Sequence, residues 1–175
     1  MMKRMLKSNL LGLVMAGLAF LTLAPTAAFP GEPVHFKQLL PFVELKLSGW
    51  EMSGKPSGTT VKHQTISMSE AKASYHAGDK TLEVIVLDFM GQSMPWLGML
   101  PQMEMETSEE TMRSTTINGF KALETYKNKD KHGELNISVA DRFWVKLEGE
   151  GIDNTEPLKA VAGQMDLKKL AALAK

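Results

Sequence analysis

Residues 134–151 read ELNISVADRFWVKLEGEG, and this stretch constrains the fold more than any other in the chain. Leu135, Ile137 and Val139 alternate with polar neighbours, and Phe143, Val145 and Leu147 do the same. Period-two alternation is the pattern of a strand with one face on a core. Two paired strands must direct both apolar rows to the same face. A two-residue turn at Ala140-Asp141 would send them to opposite faces, because a one-residue shift in register inverts every side chain. A three-residue loop over Ala140–Arg142 pairs Val139 with Phe143, Ile137 with Val145 and Leu135 with Leu147. The predicted element is therefore an antiparallel hairpin with that loop.

Other stretches extend the same architecture. TLEVIVLDFM, residues 81–90, is apolar on both faces and reads as a central strand. The turn chemistry of Ala77-Gly78-Asp79-Lys80 joins it to a preceding segment within 59–90, giving a second hairpin. Within that hairpin, 67–75 is also compatible with helix. Residues 104–117 are polar and β-branched, suited to an exposed strand. Asn118-Gly119 is a strong hairpin turn, and FKALETY follows as a further strand. At the C-terminus, Leu158, Val161, Ala162 and Met165 share one helical face, whereas Leu167, Leu170, Ala171 and Ala174 share another. One straight helix would expose half of these residues, so a break at Asp166 is expected, with Thr155 and Asp166 as N-caps. Residues 29–58 contain Pro30, Pro33, Pro41 and Pro56 and four glycines. They are expected to form an extended Pro/Gly-rich leading segment, with at most a short strand or turn over 42–50. The sum is an α+β fold: an antiparallel sheet of about four to six strands, with C-terminal helices packed on one face, in a single domain over 59–175.

The N-terminus has the pattern of a cleavable secretory signal over residues 1–28. Lys3, Arg4 and Lys7 precede an uncharged apolar run, and Thr26-Ala27-Ala28 supplies small residues for cleavage. The 147 residues that follow carry 17 basic and 20 acidic side chains, a formal charge of −3. That balance argues against nucleic acid or an anionic membrane as partner, since both need a clustered basic surface. The sequence has no cysteine, so it offers neither disulfides nor thiolate ligands. The expected setting is the periplasm or the exterior, with no stable membrane span after cleavage.

Residues 90–112 hold six methionines beside Trp96. Thioether sulfur is a soft ligand that suits Cu(I). Met94, Met99, Met103 and Met105 are the candidate ligands. Met103 and Met105 share one face of a strand, and His63 or His76 is a candidate third donor. The competing reading is adaptable packing, the usual role of methionine. Trp96 and Trp144 are candidate partner or ligand anchors, Trp144 because it lies on the polar side of its strand. Neither a GxSxG elbow, a phosphate loop, a dinucleotide fingerprint nor an HExxH pair occurs. His35, His63, His76 and His132 show no i, i+4 spacing.

SEAKASY at 69–75, LEVIVLDF at 82–89, DRFWVKLEGEG at 141–151 and DLKKLAAL at 166–173 together give the chain a resemblance to small exported bacterial proteins of unassigned function. Its layout also resembles PsbP-like and Mog1-like α+β domains. That resemblance implies a binding or assembly module and no catalytic residues. The leading expectation is thus a non-enzymatic, exported accessory module that binds a periplasmic protein or a small ligand. The alternatives are a Cu(I)-binding protein and an unrecognised hydrolase.

Overall fold

The computed structural model describes residues 31–63, 66–90 and 103–175. The 1–28 signal pattern, Met94, Trp96 and Met99 lie outside them. Helix α1 (Phe36–Val43) leads into strands β1 (Glu51–Met52), β2 (Ser57–Lys62), β3 (Ser67–Ala77) and β4 (Lys80–Asp88). Strands β5 (Glu104–Glu106), β6 (Glu110–Ile117), β7 (Phe120–Lys127), β8 (His132–Val139) and β9 (Phe143–Glu150) follow, then helices α2 (Glu156–Gln164) and α3 (Leu167–Ala172). The nine strands form one antiparallel sheet in the order β1-β3-β4-β9-β8-β7-β6-β5, with β2 paired to β3 on the β1 side. The α+β class holds, but nine strands exceed the expected four to six. The excess comes from short edge strands. The stretch 104–117 folds back at Thr107, whose hydroxyl accepts from the Glu110 N–H, and so supplies both β5 and β6.

The 134–151 hairpin has the predicted register: Leu135 faces Leu147, Ile137 faces Val145 and Val139 faces Phe143. All six are fully buried. Each contributes about 1.5–3 kcal/mol of hydrophobic stabilisation. Ala140 and Asp141 both take left-handed backbone, with φ of 54° and 51°. Asn118 (φ 52°) and Gly119 (φ 87°) form the β6–β7 turn as expected. Strand β4 lies inside the sheet between β3 and β9, and the 67–75 stretch is strand.

The leading segment departs from expectation. Phe36–Val43 is helical despite Pro41. His35 caps it through Nδ1, which accepts from the Lys37 N–H at 3.3 Å. Leu39, Phe42 and Val43, at helical spacing, are buried in the same core as the sheet. Burial of that stripe outweighs the poor local propensity of a proline-bearing octapeptide. Helices α2 and α3 separate at Asp166, whose carboxylate accepts from the Lys169 N–H at 2.9 Å. Leu158, Val161, Ala162, Met165, Leu167 and Leu170 all join the core. Thr155 precedes α2, but its hydroxyl donates to Glu124 Oε2 at 3.0 Å instead of capping, and Asn154 Oδ1 accepts from the Glu156 N–H. No helix among the described residues is long and apolar enough to cross a membrane.

Candidate functional site

The core cluster draws residues from all three helices and from one face of the sheet. Strand alternation directs the intervening residues to the opposite face, which is helix-free among the described residues. Registers across β4, β9 and β8 place Glu83 opposite Glu148 and Glu148 opposite Glu134 on that face. Three carboxylates thus stand side by side in the interior of the sheet. Like charges directly opposite one another destabilise a strand pair. Two lysines from neighbouring positions offset part of the repulsion: Lys72 Nζ lies 2.6 Å from Glu83 Oε1, and Lys146 Nζ lies 2.6 Å from Glu148 Oε2 and 3.7 Å from Glu134 Oε2.

His132 stands two residues before Glu134 on the same face. Its Nε2 is 3.2 Å from Glu134 Oε1 and 3.6 Å from Glu148 Oε1. The imidazole is only 15% exposed, and the two carboxylates about twice that. Burial by itself raises the Glu134 pKa. The hydrogen bond from His132, the positive charge of Lys146 and a hydrogen bond from Asn136 outweigh it, and the pKa falls below the usual carboxylate range. Burial lowers the Lys146 pKa, and the two glutamates more than reverse that, leaving it raised. Asn136 also accepts from Trp144 Nε1 at 3.0 Å, and the Trp144 ring stacks on Phe89 with centroids 6.0 Å apart. A chain of contacts therefore runs from Trp144 through Asn136 to the charged cluster. A groove of about 410 Å³ adjoins it, lined in part by Glu83, Glu148, Glu150, Ser53 and Thr81.

His132, Glu134 and Glu148 form a donor set of metal-site dimensions. Glu134 and Glu148 carry no ligand signal of their own in the sequence, and His132 lacks a second histidine at i, i+4 spacing. The signal was nonetheless present: a hairpin that pairs Leu135 with Leu147 also pairs Glu134 with Glu148. His-x-Glu in a strand puts both side chains on one face.

Of the methionine candidates, Met103 and Met105 lie among the described residues, and Met94 and Met99 do not. Met103 and Met105 are half-buried beside and within edge strand β5, and Met105 is paired with Met112 of β6. His63 and His76, the proposed third donors, belong to the opposite edge, beside β2 and on β3, with five strands between β3 and β5. The sheet order thus does not bring them beside Met103 and Met105. Trp144 is half-buried on the helix-free face, as its alternation implies.

Among the described residues, two other polar groupings bear on catalysis or ligand binding. Ser53 Oγ lies 2.9 Å from His76 Nδ1, and His76 Nε2 lies 3.6 Å from Glu51 Oε2. The serine–imidazole–carboxylate order is that of a hydrolytic triad. Glu51, however, is 86% exposed, whereas a triad acid is buried so that it orients the imidazole. On the helix face, a cleft of about 210 Å³ opens beside Arg113, Glu124, Tyr126 and Lys159. Its buried carboxylate, Glu124, is met by Thr155, Lys159 at 3.2 Å and Arg113 at 3.7 Å. No protein-family model matches the chain, and neither a curated protein nor a solved structure matches it.

Proposed function

We propose that this protein is a non-enzymatic binding module of an exported, extracytoplasmic setting, and that it takes a small cationic ligand on the helix-free face of its sheet. The observation that carries the reading is the row Glu83–Glu148–Glu134, in register across three interior strands. A sheet that served only as scaffold would place neutral or alternating charges there. Here negative charge stays in excess over Lys72 and Lys146, and a groove opens beside it. A binding role is favoured over hydrolysis because the Ser53–His76–Glu51 grouping has a solvated acid. The N-terminal signal pattern supports the exported setting.

The test is nuclear magnetic resonance titration of the protein with a panel of cations: spermidine, Mg²⁺, Ca²⁺ and Zn²⁺. Shifts concentrated at Glu83, Glu134, Glu148 and their neighbours support the reading. Shifts confined to the helix-face cleft, or saturation by none of the panel, overturn it. A second reading is retained for Cu(I), because Met103 and Met105 share one face and Met112 stands opposite Met105. Anaerobic Cu(I) titration against a competing chelator tests it. Binding abolished in Met103→Leu/Met105→Leu supports a thioether site, and the absence of binding removes it.

A further inference from the structure

We propose that His132, Glu134 and Glu148 bind a divalent transition-metal ion of the zinc type. The inference rests on the reading of the helix-free face as the binding surface and names the ligand class. Two rigid paired strands supply the three donors. His132 and Glu134 are spaced i, i+2 on β8, and Glu148 is the register partner of Glu134 on β9. A tetrahedral ion bound at about 2.0–2.2 Å holds neighbouring donor atoms roughly 3.4 Å apart. The Nε2–Oε1 separations of 3.2 and 3.6 Å bracket that edge length, and all three donor atoms lie within 4.8 Å of one another.

The second oxygens of the carboxylates point elsewhere, which is the arrangement a ligand set needs. Lys146 engages Oε2 of both glutamates and leaves each Oε1 turned toward His132. Asn136 adds a hydrogen bond to Glu134 and is itself held by Trp144. Outer groups of this kind orient first ligands and tune their basicity. The charge agrees as well. Around the site stand Glu83, Glu134, Glu148 and Glu150 against Lys72, Lys146 and Lys127, the register partner of His132 on β7, so negative charge stays in excess and a dication relieves the cross-strand repulsion.

The donor chemistry selects among ions. One imidazole with two carboxylates suits zinc and its neighbours, whereas Ca²⁺ asks for six to eight oxygens and Cu(I) for soft sulfur. Three protein donors leave a fourth position for water or a ligand group entering from the groove. The competing account is a metal-free network in which His132 bridges the two glutamates.

The deciding experiment titrates Zn²⁺ into the protein against a chromophoric chelator of known affinity and follows the ¹⁵N shifts of the His132 ring. The expected result is one ion per chain, with the His132 Nε2 resonance moving as a metal ligand. Affinity should fall about 10-fold or more in His132→Gln and in Glu148→Gln, and remain unchanged in His76→Gln. Affinity should also fall on acidification, since the imidazole must be deprotonated to ligate. No stoichiometric binding, or binding insensitive to His132→Gln, overturns the proposal. So does a His132 ring that takes up a proton but shows no zinc-induced shift. If the variants do not fold, the ring shift in the unmodified protein still decides. Spermidine or Mg²⁺ perturbing the glutamate row while Zn²⁺ leaves His132 unmoved would sink this inference and leave the cationic-ligand reading standing.

Discussion

Asp88 is fully buried at the end of β4, and its charge is met bidentately. Arg142 Nε donates to Oδ1 at 2.9 Å and Nη2 to Oδ2 at 2.8 Å. The same carboxylate accepts the backbone N–H groups of Val34 and Met90, and Arg142 Nη2 also reaches the Glu32 carbonyl. One ion pair thus ties the segment before α1 to the β8–β9 loop. Removing one partner strands a buried charge, so Arg142→Ala should lower stability by about 3–5 kcal/mol in urea denaturation. Arg142→Lys should recover only part of it, because an ammonium cannot reproduce the fork. A loss below about 1 kcal/mol for Arg142→Ala would show that the pair is solvated. Glu134 gives a pH signature with a definite sign. Its pKa is depressed in the folded protein. Its contribution is therefore fully present above the ordinary carboxylate value of about 4.3 and is lost as pH falls through the lower folded value. Thermal unfolding from pH 6 down to pH 3 should lose stability more steeply in the unmodified protein than in Glu134→Gln. Parallel pH profiles for the two would contradict the shift.

At the scale of elements, the β8–β9 hairpin and the helices above it meet at a pair of glycines. Gly133 and Gly149 are register partners. A Cβ on Gly149 would come within 2.8 Å of Ile152 Cδ1 and 3.0 Å of Leu158 Cδ2. The bare backbone here admits the side chains that seat α2 on the sheet. Gly149→Ala should cost about 1–3 kcal/mol through overpacking, with urea denaturation as the measure. Gly58→Ala is the sharper case. Its Cβ would sit 2.8 Å from the Glu70 carbonyl oxygen of the paired strand, and main chain cannot swing aside. We expect Gly58→Ala to release β2 from β3, read as faster amide exchange over 57–62. Exchange unchanged there would mean that the strand shifts without penalty. The β8–β9 register, the Asn118-Gly119 turn and the break at Asp166 were all legible in the sequence. Each depends on residues close together in the chain. Helix α1 was not, because its local sequence favours extension and only Leu39, Phe42 and Val43 meeting the sheet make it helical.

For the whole molecule, strand order sets both stability and site. Strands β3, β4, β9 and β8 share long registers and carry most of the core, whereas β5 has three residues and, among the described residues, one neighbour. Hydrogen exchange should therefore be slowest in β4 and β9 and fastest in β5. Equal protection of β5 and β9 would contradict this sheet order. The order also decides which candidate donors can meet. It parts His76 from Met103 and Met105 by the width of the sheet and brings His132 and Glu134 to Glu148. By itself, the sequence determined the antiparallel β character, the central hairpin and its register, the principal turns and the two-helix C-terminus. These follow from period and turn chemistry, which act over a few residues. Only the tertiary structure decided the nine-strand order, the helical start and the juxtaposition of Glu83, Glu148 and Glu134. Contacts between strands distant in the chain have no local signature. They are chosen by the burial of one shared apolar face, and burial is a property of the assembled core.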